Sequence, residues 1–273
     1  MNTFIKLGLL FVGILLTSCT DVIEVEVPEA APKLVIEASI DWEKGTTGSV
    51  QTINLSLSTP YFDEDQLNPV TNATVKVTNN ATGAVFNFTN QNNGSYRTYN
   101  FKPVVNNEYD LEVVYNNETY TATETLMPVV AIDEVYQSID EGFDKDALEV
   151  NVLFTDPAGI ENFYLMKFQR KGGYLAELFD ISDEFTDGNQ MSIFYEDEEF
   201  VVGDMIDIQL FGISKQYYNY IRLLIEQASD GGPFATIPAQ LKGNCINTSN
   251  PENNAYGYFR LTQVAKESIT FIE

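Results

Sequence analysis

The chain has 273 residues, a formal net charge of −25 at pH 7 and no histidine. A field this negative repels phosphate backbones, so we expect no binding to nucleic acid. Without histidine, neither a Ser-His-Asp nor a Cys-His catalytic arrangement can form, and the usual zinc sites lose a ligand type. The composition therefore excludes the commonest hydrolase chemistries, and we expect that the protein is not an enzyme.

The first 19 residues are typical of a bacterial lipoprotein signal peptide. After Lys6, residues 7–16 form an unbroken apolar run, which is too short to cross a bilayer because a span needs about 20 apolar residues. The run ends in the lipobox Leu16-Thr17-Ser18-Cys19, whose small residues admit the peptide to the signal peptidase. An ordinary cleaved signal with an incidental cysteine is the alternative. We predict that residues 1–19 are the signal peptide and that Cys19 is the lipidation site.

Acylation of Cys19 would anchor the mature protein in a lipid bilayer. Each buried CH₂ contributes roughly 0.8 kcal/mol, so two or three acyl chains hold a protein at a membrane almost permanently. Residues 20–32 contain two prolines and several acidic residues, which predicts an acidic tether. Cys245 is then the only remaining thiol, and no intramolecular disulfide can form. We interpret Cys245 as a small buried apolar residue, because a reactive thiol would need a base beside it.

Residues 33–127 are predicted to form an immunoglobulin-like β-sandwich. Apolar and polar residues alternate with period two, for example at 53–58 and 74–78, and roughly seven such short runs are separated by turn signals. The pairs Asn93-Gly94 and Asn116-Asn117 predict tight hairpin turns, because Asn and Gly tolerate positive φ angles.

Residues 128–273 are predicted to form a second β-rich domain, built as a sheet or a partly open barrel. Alternation at 148–154 predicts one strand, and 163–170 and 200–211 predict two others. The predicted fold is therefore mainly β, with the sandwich followed by this domain and one packed α-helix.

The predicted helix lies at residues 214–228. Ser214 is placed as its N-cap, and Gly231 follows its end. Its apolar face consists of Tyr217, Ile221, Leu224, Ile225 and Ala228. We expect this face to pack across a sheet, and a partner-binding helix is the alternative.

An acidic stretch is the one metal-site hypothesis that the sequence raises. Asp183, Asp187 and Asn189 offer oxygen ligands beside Gly188, as calcium loops do, although the spacing and the closing glutamate of an EF-hand are missing. Calcium is therefore the only cofactor that we consider, and a solvated acidic loop is the default. Paired carboxylates can hydrolyse glycosides, but among 40 acidic residues a pair carries no specificity.

Aromatic residues are frequent after residue 210, and we interpret them as core and hairpin packing, with a sugar- or peptide-binding platform as the alternative. They are Tyr217, Tyr218, Tyr220, Phe234, Tyr256, Tyr258 and Phe259.

Four blocks in a fixed order resemble a family of Bacteroidota lipoproteins classed as domain of unknown function 4249. The blocks are Pro32-Lys33-Leu34-Val35-Ile36-Glu37; residues 70–77 followed by 94–97 and 109–111; residues 153–159 leading to 162–164; and Gly243-Asn244 followed by 255–259. The family has no assigned catalytic residues, so none is carried over.

The resemblance implies a place of action. Members of the family are often encoded beside TonB-dependent receptors, so we expect an accessory lipoprotein of the cell outer membrane, surface-exposed, with a β-barrel receptor as partner in nutrient capture or uptake. A lipid tether and a rigid β spacer would raise the effective concentration of a binding module at the receptor. Two alternatives stay open: a free-standing surface protein that binds a glycan or peptide, and an envelope structural or assembly factor.

Overall fold

The computed structural model describes residues 31–59, 68–145, 147–228 and 241–273, which hold sixteen β-strands and one α-helix. The predicted mainly β class is confirmed. The predicted signal peptide, Cys19 and residues 20–30 of the tether lie outside the described residues. Within the described ranges, no helix has the length and apolarity needed to cross a membrane.

The first eight strands form two sheets that enclose one core. They are β1 (Leu34–Glu43), β2 (Gln51–Leu57), β3 (Asn68–Pro69), β4 (Thr74–Asn79), β5 (Val85–Asn90), β6 (Ser95–Thr98), β7 (Glu108–Tyr115) and β8 (Glu118–Thr125). Strands β3, β2, β6 and β1 lie on one side, and β4, β7 and β8 on the other. Strand β5 pairs with both β4 and β6, so the two sheets join along that edge. This arrangement is the predicted immunoglobulin-like sandwich.

The core of the sandwich follows from the alternation in the sequence. One residue in two of β1, β4 and β7 is buried, and these side chains meet between the sheets. Tyr109 is fully buried near the start of β7, where its hydroxyl accepts a hydrogen bond from Val104 N (2.9 Å) and donates one to Lys102 O (3.2 Å). A tyrosine that binds the backbone a few residues upstream also stabilises immunoglobulin-like sandwiches.

The hairpin turns are only partly as predicted. Asn116 and Asn117 have φ angles of +49° and +63°, as a two-residue hairpin turn requires. In the other turn the positive φ angles belong to Asn92 (+63°) and Gly94 (+85°), so the prediction of the pair Asn93-Gly94 was wrong by one residue. The turn is longer than two residues, because β5 ends at Asn90 and β6 begins at Ser95.

The second half contains β9 (Glu134–Ser138), β10 (Glu149–Thr155), β11 (Phe163–Arg170), β12 (Glu177–Ser182), β13 (Gln190–Glu196), β14 (Met205–Ile213), α1 (Lys215–Ala228), β15 (Ile246–Asn247) and β16 (Tyr256–Thr270). Strands β9, β10 and β13 form a three-stranded sheet, which packs over β11, β14 and the last part of β16 around a second core. Strand β12 extends the larger sheet beside β11, and β15 pairs with β8.

Strand β16 belongs to both halves of the molecule. Its residues 256–264 pair in parallel with β1, and its residues 264–270 pair antiparallel with β14. Phe259 and Leu261 complete the first core, although the predicted division at residues 127 and 128 assigned them to the second domain. Residues 32–273 form one compact unit.

Helix α1 packs on the face of β11 and β14 that the second core leaves free. Ser214 is its N-cap, since Ser214 Oγ accepts a hydrogen bond from Tyr217 N (3.1 Å). Ile221 is buried there, with Tyr217, Tyr218 and Ile225 packed around it. The predicted face was wrong at two positions, because Leu224 and Ala228 are exposed. The helix meets the sheet through its Tyr218 side instead.

Gly257 allows β16 to begin beside β1. Its φ angle is +90°, and a Cβ there would overlap the backbone oxygen of Ile36. Gly45 has a similar φ of +86°, but a Cβ there would meet nothing within 4 Å. Replacing either by Ala adds left-handed strain of about 1–2 kcal/mol. We expect Gly257→Ala to lose about 2 kcal/mol more than Gly45→Ala through overpacking. Urea unfolding midpoints measure both losses, and equal losses would contradict the role given to Gly257.

Candidate functional site

Three aspartates meet where two loops of the second half come together. Carboxylate oxygens of Asp156, Asp183 and Asp187 lie within 4.8 Å of one another; Asp156 and Asp183 are buried, and Asp187 is exposed. Backbone N–H groups hold the cluster: Asn162 N donates to Asp183 (2.8 Å), and Gly159 N donates to Asp187 (2.7 Å). The two loops are thereby tied together through their acidic side chains.

The predicted calcium ligands are only partly brought together. Asp183 and Asp187 are neighbours, but the third carboxylate is Asp156, which lies far away in the sequence. Asn189, the third predicted ligand, lies beside them: its side-chain Nδ2 donates to Asp187 O (3.2 Å), and its own backbone oxygen accepts from Asp156 N (3.0 Å). Asp156 also accepts a hydrogen bond from the Tyr164 hydroxyl (2.6 Å), and burial raises the pKa of that phenol. Calcium binding at this cluster stays a prediction.

A groove of about 660 Å³ lies between β12 and β13. Its walls combine aromatic and acidic side chains: Phe143, Glu177, Phe179, Ser192, Ile193, Phe194, Tyr195, Glu196 and Asp197. Phe143 is 87% exposed and meets the ring of Phe194 edge-on, with ring centroids 5.2 Å apart. Such an exposed phenylalanine beside further apolar surface is typical of an interaction site.

The electrostatic field in the groove is negative. Tyr195 lines it, and burial together with the charges of Asp197 and Glu177 raises the pKa of this phenol to about 12, although Arg170 acts in the opposite direction. Arg170 itself pairs with Asp204 (2.9 Å). Among the described residues, no Lys or Arg forms an ion pair with the acidic side chains of the groove.

Two carboxylates fasten the loop that carries Phe143. Glu149 is 0% exposed, and its Oε1 accepts hydrogen bonds from Ser138 Oγ (2.5 Å) and Glu141 N (2.7 Å). Glu196 lies opposite it in the pairing of β10 and β13, and accepts from Phe143 N (2.9 Å). These bonds hold the loop between β9 and β10 against the small sheet and place Phe143 at the wall of the groove.

Gly142 makes room for the two carboxylates. A Cβ at this position would overlap both Glu149 Oε2 and Glu196 Oε2, so both oxygens face the same small space. Glu149 Oε2 is buried and has no hydrogen-bond partner within the described residues. The carboxylate of Glu149 is buried beneath the loop and is not presented to the groove, so this pair differs from two carboxylates that flank a substrate.

The aromatic residues near helix α1 pack against one another, as predicted. Tyr258 is buried and contacts the rings of Tyr217 and Tyr220, with centroids 4.9 Å and 4.8 Å apart. Phe234, which belongs to the same predicted group, lies outside the described residues. Cys245 is also buried, and burial raises the pKa of its thiol to about 12, which keeps the thiol neutral. The structure agrees with a packing role for it.

Comparison with known proteins places the chain in a family. A model described as domain of unknown function (DUF4249) matches residues 20–268. The chain belongs to the DUF4249 family. This confirms the resemblance found in the sequence, and the match includes the groove and the aspartate cluster. No curated protein matches this DUF4249 chain.

Solved structures align with the DUF4249 chain only distantly. The FN1–FN3 domains of chicken CNTN1 share 12% identity over 67% of this chain, at a TM-score of 0.23, and the chain spans 60% of that segment. A two-domain fibronectin type III segment of chicken tenascin shares 11% sequence identity. That alignment covers 66% of this chain and 90% of the tenascin segment, at a TM-score of 0.22. A DUF4785 family protein from Legionella pneumophila shares 14% sequence identity, and the alignment covers 66% of this chain and 51% of that protein at a TM-score of 0.27.

Sequence patterns did not indicate the groove. Its acidic members Glu177, Glu196 and Asp197 share no spacing that separates them from the other acidic residues, and Phe143 stands in Glu141-Gly142-Phe143-Asp144 outside any periodic run. Glu149 carried no signal either, because in the alternation of residues 148–154 it takes a polar position, which predicts exposure. The structure instead buries both faces of this strand, and a carboxylate there needs partners.

Glu124 connects β8 to the N-cap of helix α1, and its carboxylate titrates in a buried setting. Glu124 Oε2 accepts hydrogen bonds from Ser214 Oγ (3.0 Å) and Tyr258 Oη (3.4 Å). Burial raises the pKa of this carboxyl, and its hydrogen bonds offset only part of that effect.

Because the folded state binds this proton more tightly than the unfolded chain, charging Glu124 costs stability as the pH rises through the folded pKa. We therefore expect the stability of Glu124→Gln relative to the unmodified protein to increase as the pH rises from the ordinary carboxyl pKa of 4.5 through the raised pKa of the folded state. The exposed Glu37 supplies the control Glu37→Gln. Urea midpoints across this range measure the difference, and a gain that shrinks with rising pH would contradict it.

Proposed function

We propose that the protein is an accessory lipoprotein, anchored to the outer membrane through acylated Cys19, that acts by contact with a β-barrel receptor in nutrient capture. The observation that carries the contact role is the acidic, aromatic groove between β12 and β13, with Phe143 exposed at its wall. Membership in the DUF4249 family supports the link to a receptor, because genes of such proteins often stand beside those of TonB-dependent receptors.

We propose binding and not catalysis. The chain has no histidine, and the one fully buried carboxylate near the groove, Glu149, is held beneath a loop by Ser138 and the backbone N–H of Glu141. The remaining acidic side chains of the groove are at its surface, where they supply charge complementarity to a partner.

The receptor association is tested by purifying tagged full-length protein from detergent-solubilised membranes. We expect a β-barrel outer-membrane protein to co-purify repeatedly in stoichiometric amount. Retention on immobilised polysaccharide without such a protein would favour the free-standing glycan-binding alternative. If neither is found, the receptor role is wrong.

The anchor is tested by removing the lipidated sulfur. We expect Cys19→Ser to move the protein from the membrane pellet to the soluble fraction, because each lost acyl CH₂ removes roughly 0.8 kcal/mol of membrane binding. Cys245→Ala is the matched control, since Cys245 is buried, and it should stay in the pellet. A Cys19→Ser protein that still sediments with membranes would contradict lipid anchoring at this residue.

A further inference from the structure

The groove runs along the edge of a β-strand. Side chains of successive residues in a strand point to opposite faces of the sheet, so a groove over one face is lined by alternate residues. Here the consecutive residues 192–196 of β13 all line the groove, together with Asp197. Side chains from both faces of the sheet can line one groove only where the groove follows the edge of the strand.

That edge has no strand partner. Strand β13 pairs with β10 on one side, and within the described residues no strand pairs with its other side. An edge strand directs alternate N–H and C=O groups outward, where they can pair with an added strand. With seven residues at about 3.3 Å each, β13 offers roughly 23 Å of pairing length.

The opposite edge of the same small sheet is better protected. On β9, the Gln137 side chain donates to Ile272 O (2.8 Å) and accepts from Ile272 N (2.7 Å), so the C-terminal segment covers that side. Strand β13, with the sequence Gln-Met-Ser-Ile-Phe-Tyr-Glu, contains no lysine or proline, two residues that commonly protect a sheet edge.

The charge of the groove selects the occupant. Glu177, Glu196 and Asp197 line it with no lysine or arginine paired to them in the described part of the chain, and the aromatic side chains between them favour apolar contacts. A second copy of this chain would bring the same three carboxylates against them, so self-association along this edge is disfavoured. A segment with basic and apolar side chains satisfies both features.

We infer that the groove binds an extended peptide segment of a partner protein, which carries Lys or Arg and pairs with the free edge of β13 as a fourth strand of the small sheet. Main-chain hydrogen bonds hold such a segment, while side-chain pockets select its sequence. Its basic side chains face Glu177 and Asp197, and its apolar side chains face Phe143 and Phe194. The inference rests on the proposed contact function and names the chemistry of the contact.

Synthetic peptides test the mode of binding on full-length protein in detergent. The probe is a peptide of about ten residues in which Val and Arg alternate, compared with a Val/Glu peptide and with a Val/Arg peptide N-methylated at alternate amides. We expect the first to bind at least about tenfold more tightly than either other, because one lacks the charge and the other the hydrogen bonds. Fluorescence anisotropy measures the affinities, and hydrogen exchange should slow in β13 but not in β9.

Variants locate the site. Glu177→Lys should weaken Val/Arg binding about tenfold, whereas Glu37→Lys, an equal charge change at an exposed side chain of β1, should leave it within about twofold. Phe143→Ala should weaken it, whereas Tyr174→Ala, at an equally exposed aromatic outside the groove, should not.

Each outcome decides the inference. Equal binding of the N-methylated peptide, absence of binding by every peptide, or slowed exchange only outside β13 would overturn it. Peptide binding that persists when no receptor co-purifies would leave the groove assigned and the receptor role wrong. A receptor that co-purifies undiminished with Glu177→Lys would mean that the receptor binds another surface.

Discussion

The fold depends on the parallel pairing of β1 with β16. These two strands are the first and the last of the described chain, and their pairing makes one sheet continuous from the sandwich to the second core. It requires that the backbone of Gly257 approach Ile36 more closely than any side chain allows. The two strands are distant in sequence, so closing the chain between them costs conformational entropy. Neither core is complete until they meet, so the stability of both halves depends on this pairing.

Local patterns predicted the elements, and distant contacts decided the sites. Period-two alternation predicted the strands of the sandwich, and Ser214 was predicted as the helix cap because capping involves only neighbours along the chain. The helix face was wrong at Leu224, since the surface that α1 covers is set by β11 and β14 and not by the helix sequence. Asp156 joins Asp183 and Asp187 only because two loops fold together, and no spacing rule within 183–189 reveals it.

The acidic side chains have different partners in three parts of the structure. Glu118 is held by the side chains of Asn250 and Asn253 and by Tyr120, and these hydrogen bonds lower its pKa. In the aspartate cluster, backbone N–H groups take the place of cations. In the groove between β12 and β13, the acidic side chains are left without a basic partner in the described chain. There the negative charge coincides with the exposed ring of Phe143 and with the open edge of β13, and this coincidence separates a binding surface from ordinary solvated charge.

The buried carboxylate beneath the loop that carries Phe143 lowers the stability of the folded protein. A buried acceptor without a partner, such as Glu149 Oε2, costs about 1–3 kcal/mol, which an apolar residue at the same place would avoid. In return, the carboxylates of Glu149 and Glu196 fix the backbone of the loop and hold an exposed phenylalanine at the groove wall. Sequences depart from the most stable choice chiefly where function demands it. The buried carboxylate therefore supports the same conclusion as the open edge of β13: this end of the small sheet is built to present a surface, at some expense to its own stability.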